Sequence, residues 1–195
     1  MDKELEEQVE EAKKVIEGGG IVVFPTETAY GIAADATDPE AVEKVYRAKQ
    51  RPRSKGLTAI VASLEEAERF AELSDEERKI IREFMPGPLT LVAEKRDTVP
   101  ENLNEDFAFR ISSGEVASKL AETGPITATS ANISGEETSY RVEDISEELL
   151  EKVDYVIDAG ELESGPTSTI LELVDGEPVV HREGPIKKKE IVKVL

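Results

Sequence analysis

Short apolar segments alternate with amphipathic helical segments along the whole sequence, and this alternation limits the folds open to the chain. Apolar residues recur at helical spacing over about 4–17. The apolar run 21–24 follows and predicts a strand buried on both faces. Asp175-Gly176 near the C-terminus is a strong hairpin signal. Interleaved strands and helices indicate the α/β class, and the hairpin favours a mixed sheet.

The same alternation predicts the remaining elements. Further helices are expected over about 38–49, 64–72, 74–84, 115–122 and 144–151 and from 187, and further strands near 30–36, 57–62, 89–94, 107–111, 126–130, 153–158, 168–174 and 178–182. Asp38 is the expected N-cap of the second helix, and Ser74 with Glu77 forms a capping box. No repeat, low-complexity tract or linker interrupts the pattern, so we expect one domain over residues 1–195.

The composition excludes several classes of chemistry. The chain has no cysteine and one histidine, His181, which excludes disulfides, thiolate catalysis and zinc sites built from cysteines or several histidines. We expect no protein metal site.

No apolar run approaches the roughly 18 residues of a membrane span, and the N-terminus is too acidic for a secretory signal. We therefore expect a cytoplasmic protein with no membrane contact.

A basic segment stands out from an acidic chain. The formal net charge is -19, yet residues 44–55 hold six basic residues and no acidic one. Part of this segment, from Arg51 to Lys55, follows the predicted helix in a loop, where a bound phosphate would relieve the repulsion between cations. A solvated helix face remains the alternative for Lys44 and Arg47. Neither of the two common glycine-rich phosphate loops accompanies the segment.

Several predicted strand ends are rich in hydroxyl groups. They are found in the segments 25–31, 127–135 and 165–169, and Arg110 ends another apolar strand. Each alone could be an ordinary polar loop, and Arg110 could form a structural salt bridge. His181, beside Arg182, is more often structural than catalytic. Together these groups predict one polar pocket for a small polar ligand and a nucleotide, in which catalysis depends on positioning and charge stabilisation.

Taken in order, seven segments resemble the YrdC-like family of L-threonylcarbamoyladenylate synthases. They are PTETAYG, AKQRPRSKGL, MPGPLT, the strand ending in Arg110, TSANISG, GPTSTIL and HREG, and they extend from about residue 15 to 185. The resemblance implies a twisted sheet of parallel and antiparallel strands flanked by helices, with a positively lined concave cleft. Ile60 stands where some members have a histidine, and the segment after TSANISG lacks prolines often found there.

The resemblance also implies a reaction. L-threonine, bicarbonate or CO2, and ATP give L-threonylcarbamoyl-AMP and pyrophosphate, with Mg²⁺ assisting. The product serves the modification of adenosine 37 in tRNA, and a separate threonylcarbamoyl transferase machinery consumes it. tRNA itself would be bound weakly at most.

Matching positions assign roles within this resemblance. Those expected to contact threonine are Thr28, Arg110, Ser130 and Ser168. Those expected to contact ATP are Arg51, Lys55, Asn132, Thr138 and Arg182. Lys49 and Arg51 are the expected catalytic residues, acting on the triphosphate.

Two alternatives share the same motifs. One is an RNA-binding module that holds a duplex or a tRNA in the basic concave surface. The other is the carbamoyl-adenylate domain of hydrogenase maturation proteins, which uses carbamoyl phosphate. Its usual zinc-finger and acylphosphatase segments are not found in this sequence.

Overall fold

Two β-sheets with flanking helices form the architecture in the computed structural model, which describes residues 1–195. The helices are α1 (Lys3–Glu17), α2 (Pro39–Lys49), α3 (Leu64–Ala67), α4 (Asp75–Phe84), α5 (Glu115–Leu120), α6 (Glu147–Leu150) and α7 (Lys188–Ile191). The strands are β1 (Val22–Pro25), β2 (Tyr30–Ala33), β3 (Ala59–Ile60), β4 (Ala71–Glu72), β5 (Leu89–Lys95), β6 (Phe107–Arg110), β7 (Ile126–Thr127), β8 (Thr129–Ser130), β9 (Tyr155–Val156), β10 (Thr169–Val174) and β11 (Glu177–Arg182).

Both sheets mix parallel and antiparallel pairs, which confirms the predicted class. The smaller has the order β8-β2-β1-β9, and the larger has the order β11-β10-β5-β6-β3-β7, with β4 beside β5. The pairs β1/β9, β10/β5 and β3/β6 are parallel. The chain crosses from one sheet to the other between β7 and β8, because β7 pairs with β3 and β8 with β2.

Local signals in the sequence set many of the element ends. The Asp38 carboxylate accepts a hydrogen bond of 2.8 Å from the Glu40 backbone N–H at the start of α2. The capping box predicted at Ser74 is present at the start of α4. The β10–β11 hairpin turns through Asp175 and Gly176, both with positive φ (53° and 80°), as an Asp-Gly turn requires.

Several predicted elements have the wrong extent. The strand expected over 57–62 is limited to Ala59–Ile60, and the one expected near 153–158 to Tyr155–Val156. The helix expected over 64–72 ends at Ala67, and Ala71–Glu72 forms β4 instead, because it pairs with the end of β5. The strand expected over 126–130 is divided between the two sheets. The helix expected over 144–151 is reduced to α6, preceded by a short 3-10 turn. For β4 and for the divided strand, pairing with a neighbouring strand outweighs the local periodicity.

The hydrophobic core occupies both sides of the smaller sheet. Val9, Ala12 and Ile16 on α1 are buried in one cluster with residues of β1 and α5. The larger cluster contains residues of both sheets and of α2 and α4. None of the helices has the length and apolar character needed to cross a membrane. A polar cavity is left between strands of the two sheets.

The segment after β11 packs tightly against the start of β10. The Gly184 N–H donates a 3.0 Å hydrogen bond to the Thr169 hydroxyl. A Cβ at Gly184 would lie within 3.0 Å of backbone atoms of Thr167, Ser168 and Thr169. Only glycine fits this close approach between two backbones.

The substitution Gly184→Ala should therefore push the two segments apart. We expect it to lower the free energy of unfolding by about 1–3 kcal/mol, the usual cost of overpacking. Gly165→Ala is the matched control, since a Cβ there meets nothing within 4 Å. Urea unfolding of both variants checks this, and equal stabilities would contradict the close packing.

Candidate active site

A polar cavity of about 400 Å³ lies between the two sheets. Strands β2 and β8 of the smaller sheet, β5, β6, β10 and β11 of the larger sheet, and the loop after α2 contribute to its lining. Most of the residues singled out from the sequence meet here: Thr28, Arg51, Lys55, Arg110, Ser130, Thr138, Ser168 and Arg182. Four of these are cations, and no carboxylate lines the cavity. Such a site favours anionic ligands.

Lys49 and Asn132 lie behind the cavity wall. The Lys49 side chain is 1% exposed, and its ammonium donates to the Ser130 carbonyl and, at 2.6 Å, to the Asn132 carbonyl. The Ser130 hydroxyl in turn donates to the Asn132 side-chain oxygen. In this structure Lys49 holds the loop after β8 in place, so its direct contact with a triphosphate stays a prediction.

Burial dominates the electrostatics of Lys49. Desolvation, and after it the charge of Arg51, lowers the pKa of the Lys49 ammonium to about 7. No carboxylate pairs with this amine. The ammonium is therefore hydrogen-bonded only to backbone and amide oxygens. With this pKa it loses its proton near neutral pH.

Arg110 forms a buried ion pair at the cavity floor. Its guanidinium donates a 2.7 Å hydrogen bond to Glu27, and the other oxygen of that carboxylate accepts from Ser112 at 2.5 Å. Burial lowers the pKa of Arg110, and the Glu27 charge opposes that shift. The salt bridge considered as an alternative is thus present, and Arg110 lines the cavity as well. Sequence reasoning missed Glu27 as a partner, although it marked the segment 25–31.

Arg182 stands close enough to Arg110 for the two charges to interact. Its guanidinium donates to the Ser168 carbonyl at 3.0 Å and to the Ser168 hydroxyl at 3.2 Å. Ser168 is also hydrogen-bonded to Thr90 at 2.9 Å. Burial lowers the pKa of Arg182, and the charge of Arg110 lowers it further. Two guanidiniums facing one cavity are stabilised when an anion lies between them.

The basic segment 44–55 divides into two parts. Arg51 and Lys55 line the cavity, and Arg51 also braces its own loop by donating to the carbonyls of Gly56 (2.9 Å) and Lys55 (3.0 Å). The other surface cations have partners outside the cavity. Arg47 and Arg53 both pair with Glu43, and Arg53 lies 4.4 Å above the Tyr46 ring. Arg47 therefore lies on the face of α2 outside the cavity, and Arg53, in the 3-10 turn after α2, also lies outside it.

The chain is similar to known proteins over nearly its whole length. The family profile described as "Telomere recombination" (Sua5_yciO_yrdC) matches residues 14–184. A putative threonylcarbamoyl-AMP synthase of Methanocaldococcus jannaschii is 40% identical over 96% of this chain and 91% of its own length. The threonylcarbamoyl-AMP synthase of Pyrococcus abyssi is 38% identical over 98% of this chain. The match covers 59% of that longer relative.

Solved structures give the same picture. The crystal structure of P. abyssi Sua5 complexed with L-threonine superimposes with a TM-score of 0.89 at 38% identity, over 96% of this chain and 57% of that one. The crystal structure of Escherichia coli YciO superimposes with a TM-score of 0.84 at 27% identity, over 94% of this chain and 92% of that one. The architecture is thus shared with proteins of similar and of greater length.

The lowered pKa of Lys49 predicts a pH-dependent stability. Between pH of about 7 and 10.5 the folded amine is neutral while the unfolded amine keeps its proton, so the unfolded state binds more protons. The free energy of unfolding should therefore rise with pH, by at most ~1.4 kcal/mol per pH unit. Lys49→Met removes this titration. We expect the wild type to gain stability relative to that variant from about pH 8 to pH 9 in urea unfolding. A constant difference would mean that Lys49 stays charged.

Proposed function

The chain belongs to the Sua5/YciO/YrdC family, and from this premise we propose that it is a threonylcarbamoyl-AMP synthase. It forms L-threonylcarbamoyl-AMP and pyrophosphate from L-threonine, bicarbonate or CO2, and ATP. The observation that carries the proposal is the cavity itself, in which four cations and a rim of hydroxyl groups surround a space with no carboxylate in its lining.

Threonine occupies the floor of the cavity in this proposal. Arg110, held by Glu27, offers its remaining N–H groups to the threonine carboxylate. The hydroxyls of Thr28, Ser130 and Ser168 surround the same space and pair with the polar groups of the amino acid. The amine of threonine condenses with CO2 to a carbamate and releases a proton. Starting from bicarbonate, the same condensation releases water in place of the proton.

The second step joins the carbamate to the nucleotide. A carbamate oxygen attacks the α-phosphorus of ATP, the new P–O bond forms, and the bond to the bridging oxygen of pyrophosphate breaks. Negative charge increases on the departing pyrophosphate, where Arg51 and Lys55 neutralise it. Arg182 contacts the nucleotide at its α-phosphate. Thr138 completes the nucleotide contacts. Asn132, which does not line the cavity, acts by holding Ser130 and the loop that Lys49 binds.

Mg²⁺ enters this proposal with the nucleotide. The cavity lining offers cations, hydroxyls and carbonyls without a carboxylate, so the ion would be held by phosphate oxygens and water. Bound there, it would neutralise part of the phosphate charge.

Residues 1–195 form one domain in this proposal. The reaction takes place in the cytoplasm, and a separate transferase machinery uses the product on tRNA.

The RNA-binding alternative receives less support from the structure. Lys44 donates to the Gly19 carbonyl at 2.6 Å, and Arg47 and Arg53 pair with Glu43. The basic segment therefore presents few free cations outside the cavity. An RNA duplex would also have to cover the acidic surface of a chain whose net charge is -19.

The first test concerns the substrates. A site that hydrogen-bonds the threonine hydroxyl rejects analogues that lack it. Pyrophosphate release should require both threonine and bicarbonate, with serine weaker and valine near background. Mass spectrometry of the product should give the mass of threonylcarbamoyl-AMP. Equal rates with valine, or release independent of bicarbonate, would overturn the proposed function.

The second test concerns the cations of the loop after α2. Arg51→Ala removes a preorganised charge and should slow turnover by about 10²–10³-fold. Arg53→Ala is the matched control, because Arg53 pairs with Glu43 outside the cavity, and its turnover should change only a few-fold. Thermal unfolding confirms that both variants fold. A folded Arg51→Ala enzyme with wild-type turnover would contradict the role of Arg51.

A further inference from the structure

The first step of the proposed reaction has to dispose of a proton. The nitrogen of threonine attacks carbon as a neutral amine, and it carries one proton too many once the C–N bond has formed. A general base takes such a proton when it lies within hydrogen-bond reach and changes charge near the working pH. The cavity lining contains no carboxylate that could do this. The acceptor therefore has to be one of the other titratable groups of the lining.

Only one of those groups accepts a proton near neutral pH. Six residues of the lining have titratable side chains: Tyr30, Arg51, Lys55, Arg110, His181 and Arg182. The arginine and lysine side chains are cations at neutral pH and have no acceptor to offer. Burial raises the pKa of the Tyr30 hydroxyl, which donates to the Gly160 carbonyl at 2.8 Å. Imidazole changes its charge between pH 5 and 8, which leaves His181 as the available base.

Two other basic groups lie close to the cavity but outside its lining. Glu27 uses one carboxylate oxygen to accept from Arg110 and the other to accept from Ser112. Lys49 is 1% exposed, and its amine donates to carbonyls of the loop after β8. Because neither residue belongs to the lining, a ligand in the cavity does not touch them.

A carboxylate holds the ring of His181. Its Nε2 lies 2.6 Å from an oxygen of Glu172 on the neighbouring strand. Since a carboxylate only accepts, Nε2 carries a hydrogen, and the lone pair of the neutral ring is then on Nδ1. No protein group is hydrogen-bonded to Nδ1. The side chain is 46% exposed, so a proton taken up by the ring can pass on to water.

His181 stands beside the residues that hold threonine in the proposed function. It precedes Arg182, whose guanidinium donates to the carbonyl and the hydroxyl of Ser168 at 3.0 and 3.2 Å. The charge of Arg182 also interacts with that of Arg110. All four residues line the same cavity, so an amino acid bound by Arg110 and Ser168 lies next to the wall that contains the imidazole.

Charged groups lie on both sides of the pair formed by His181 and Glu172. The cavity side is lined by Arg51, Lys55, Arg110 and Arg182, and a groove that Glu172 also lines contains Glu72, Glu76, Glu77, Glu94 and Asp106. The cations disfavour an imidazolium, and the carboxylates favour it. The ring can therefore take up a proton and release it again.

We propose that His181, oriented by Glu172, is the general base for carbamate formation. This inference rests on the proposed function. The nitrogen lone pair of threonine forms the C–N bond with CO2, one C=O electron pair moves to oxygen, and the N–H proton passes to Nδ1. The imidazolium then gives this proton to water. With bicarbonate it gives the proton to the departing hydroxide, which leaves as water.

The rate of pyrophosphate release from about pH 5 to pH 8 tests the base. The wild-type rate should fall toward acid, because a protonated imidazole accepts nothing. His181→Gln keeps an amide that can donate to Glu172 but has no basic nitrogen. We expect it to lower the rate by about 10²-fold or more and to remove the inflection in this pH range. Glu177→Gln, on the same hairpin outside the lining, is the control and should keep both the rate and the profile.

Two further measurements distinguish a base from a structural residue. In His181→Ala, added imidazole should restore part of the rate, since the exposed side chain leaves a space open to solvent. Threonylcarbamoyl-AMP mixed with pyrophosphate reverses the second step alone, and that step transfers no proton. ATP formation in this reverse assay should therefore stay within a few-fold of the wild type in His181→Gln.

The outcomes separate this inference from the proposed function. A folded His181→Gln enzyme with the wild-type forward rate shows that the carbamate forms without the imidazole, and it overturns the role of His181 while the synthase stands. Equal losses in the forward and reverse assays also overturn that role. If His181→Gln fails to fold in thermal unfolding, the absence of imidazole rescue in His181→Ala overturns it instead. A wild type that forms no threonylcarbamoyl-AMP overturns the proposed function, and the base with it.

Discussion

The ion pair between Glu27 and Arg110 joins the two halves of the molecule at the floor of the cavity. Glu27 follows β1 of the smaller sheet, and Arg110 ends β6 of the larger sheet. Breaking a buried pair by removing one partner costs about 3–5 kcal/mol, because the other charge is left unpaired. The pair therefore links the two sheets at this point. It also places a guanidinium in the cavity with its orientation already set.

Lys49 provides a second constraint from behind the cavity wall. Lys49, at the end of α2, ties the loop after β8 through the carbonyls of Ser130 and Asn132. The segment containing β7 and β8 already crosses between the sheets, so this contact links the helix, the crossing segment and the cavity rim. Ser130 lines the cavity, and its hydroxyl donates to the side-chain oxygen of Asn132. A buried amine whose hydrogen bonds all reach one loop acts here as a positioning group.

The pattern of the sequence was enough to predict the class of fold and most of the cavity lining. Arg110, Ser168 and Arg182 stood out because cations and hydroxyls lie at the ends of predicted strands, and such strand ends meet at one edge of a sheet. Arg51 stood out because it lies in a basic loop after a helix of an acidic chain. The alternation of helices and strands also gave α1, α2, α4 and the β10–β11 hairpin. The short elements were predicted less well, since two-residue strands such as β3 and β4 are defined by their partners rather than by their own periodicity.

The sequence by itself determined which chemical groups this protein can use: a concentration of cations, many small hydroxyls, one histidine and no cysteine. Tertiary structure alone decided which of those groups share a space. Nothing in the residue order distinguishes Arg51, which lines the cavity, from Arg53, which pairs with Glu43 outside it. The residue order also does not show that Glu27 pairs with Arg110. These outcomes depend on distances between residues far apart in the chain, and only the packing of the two sheets sets those distances.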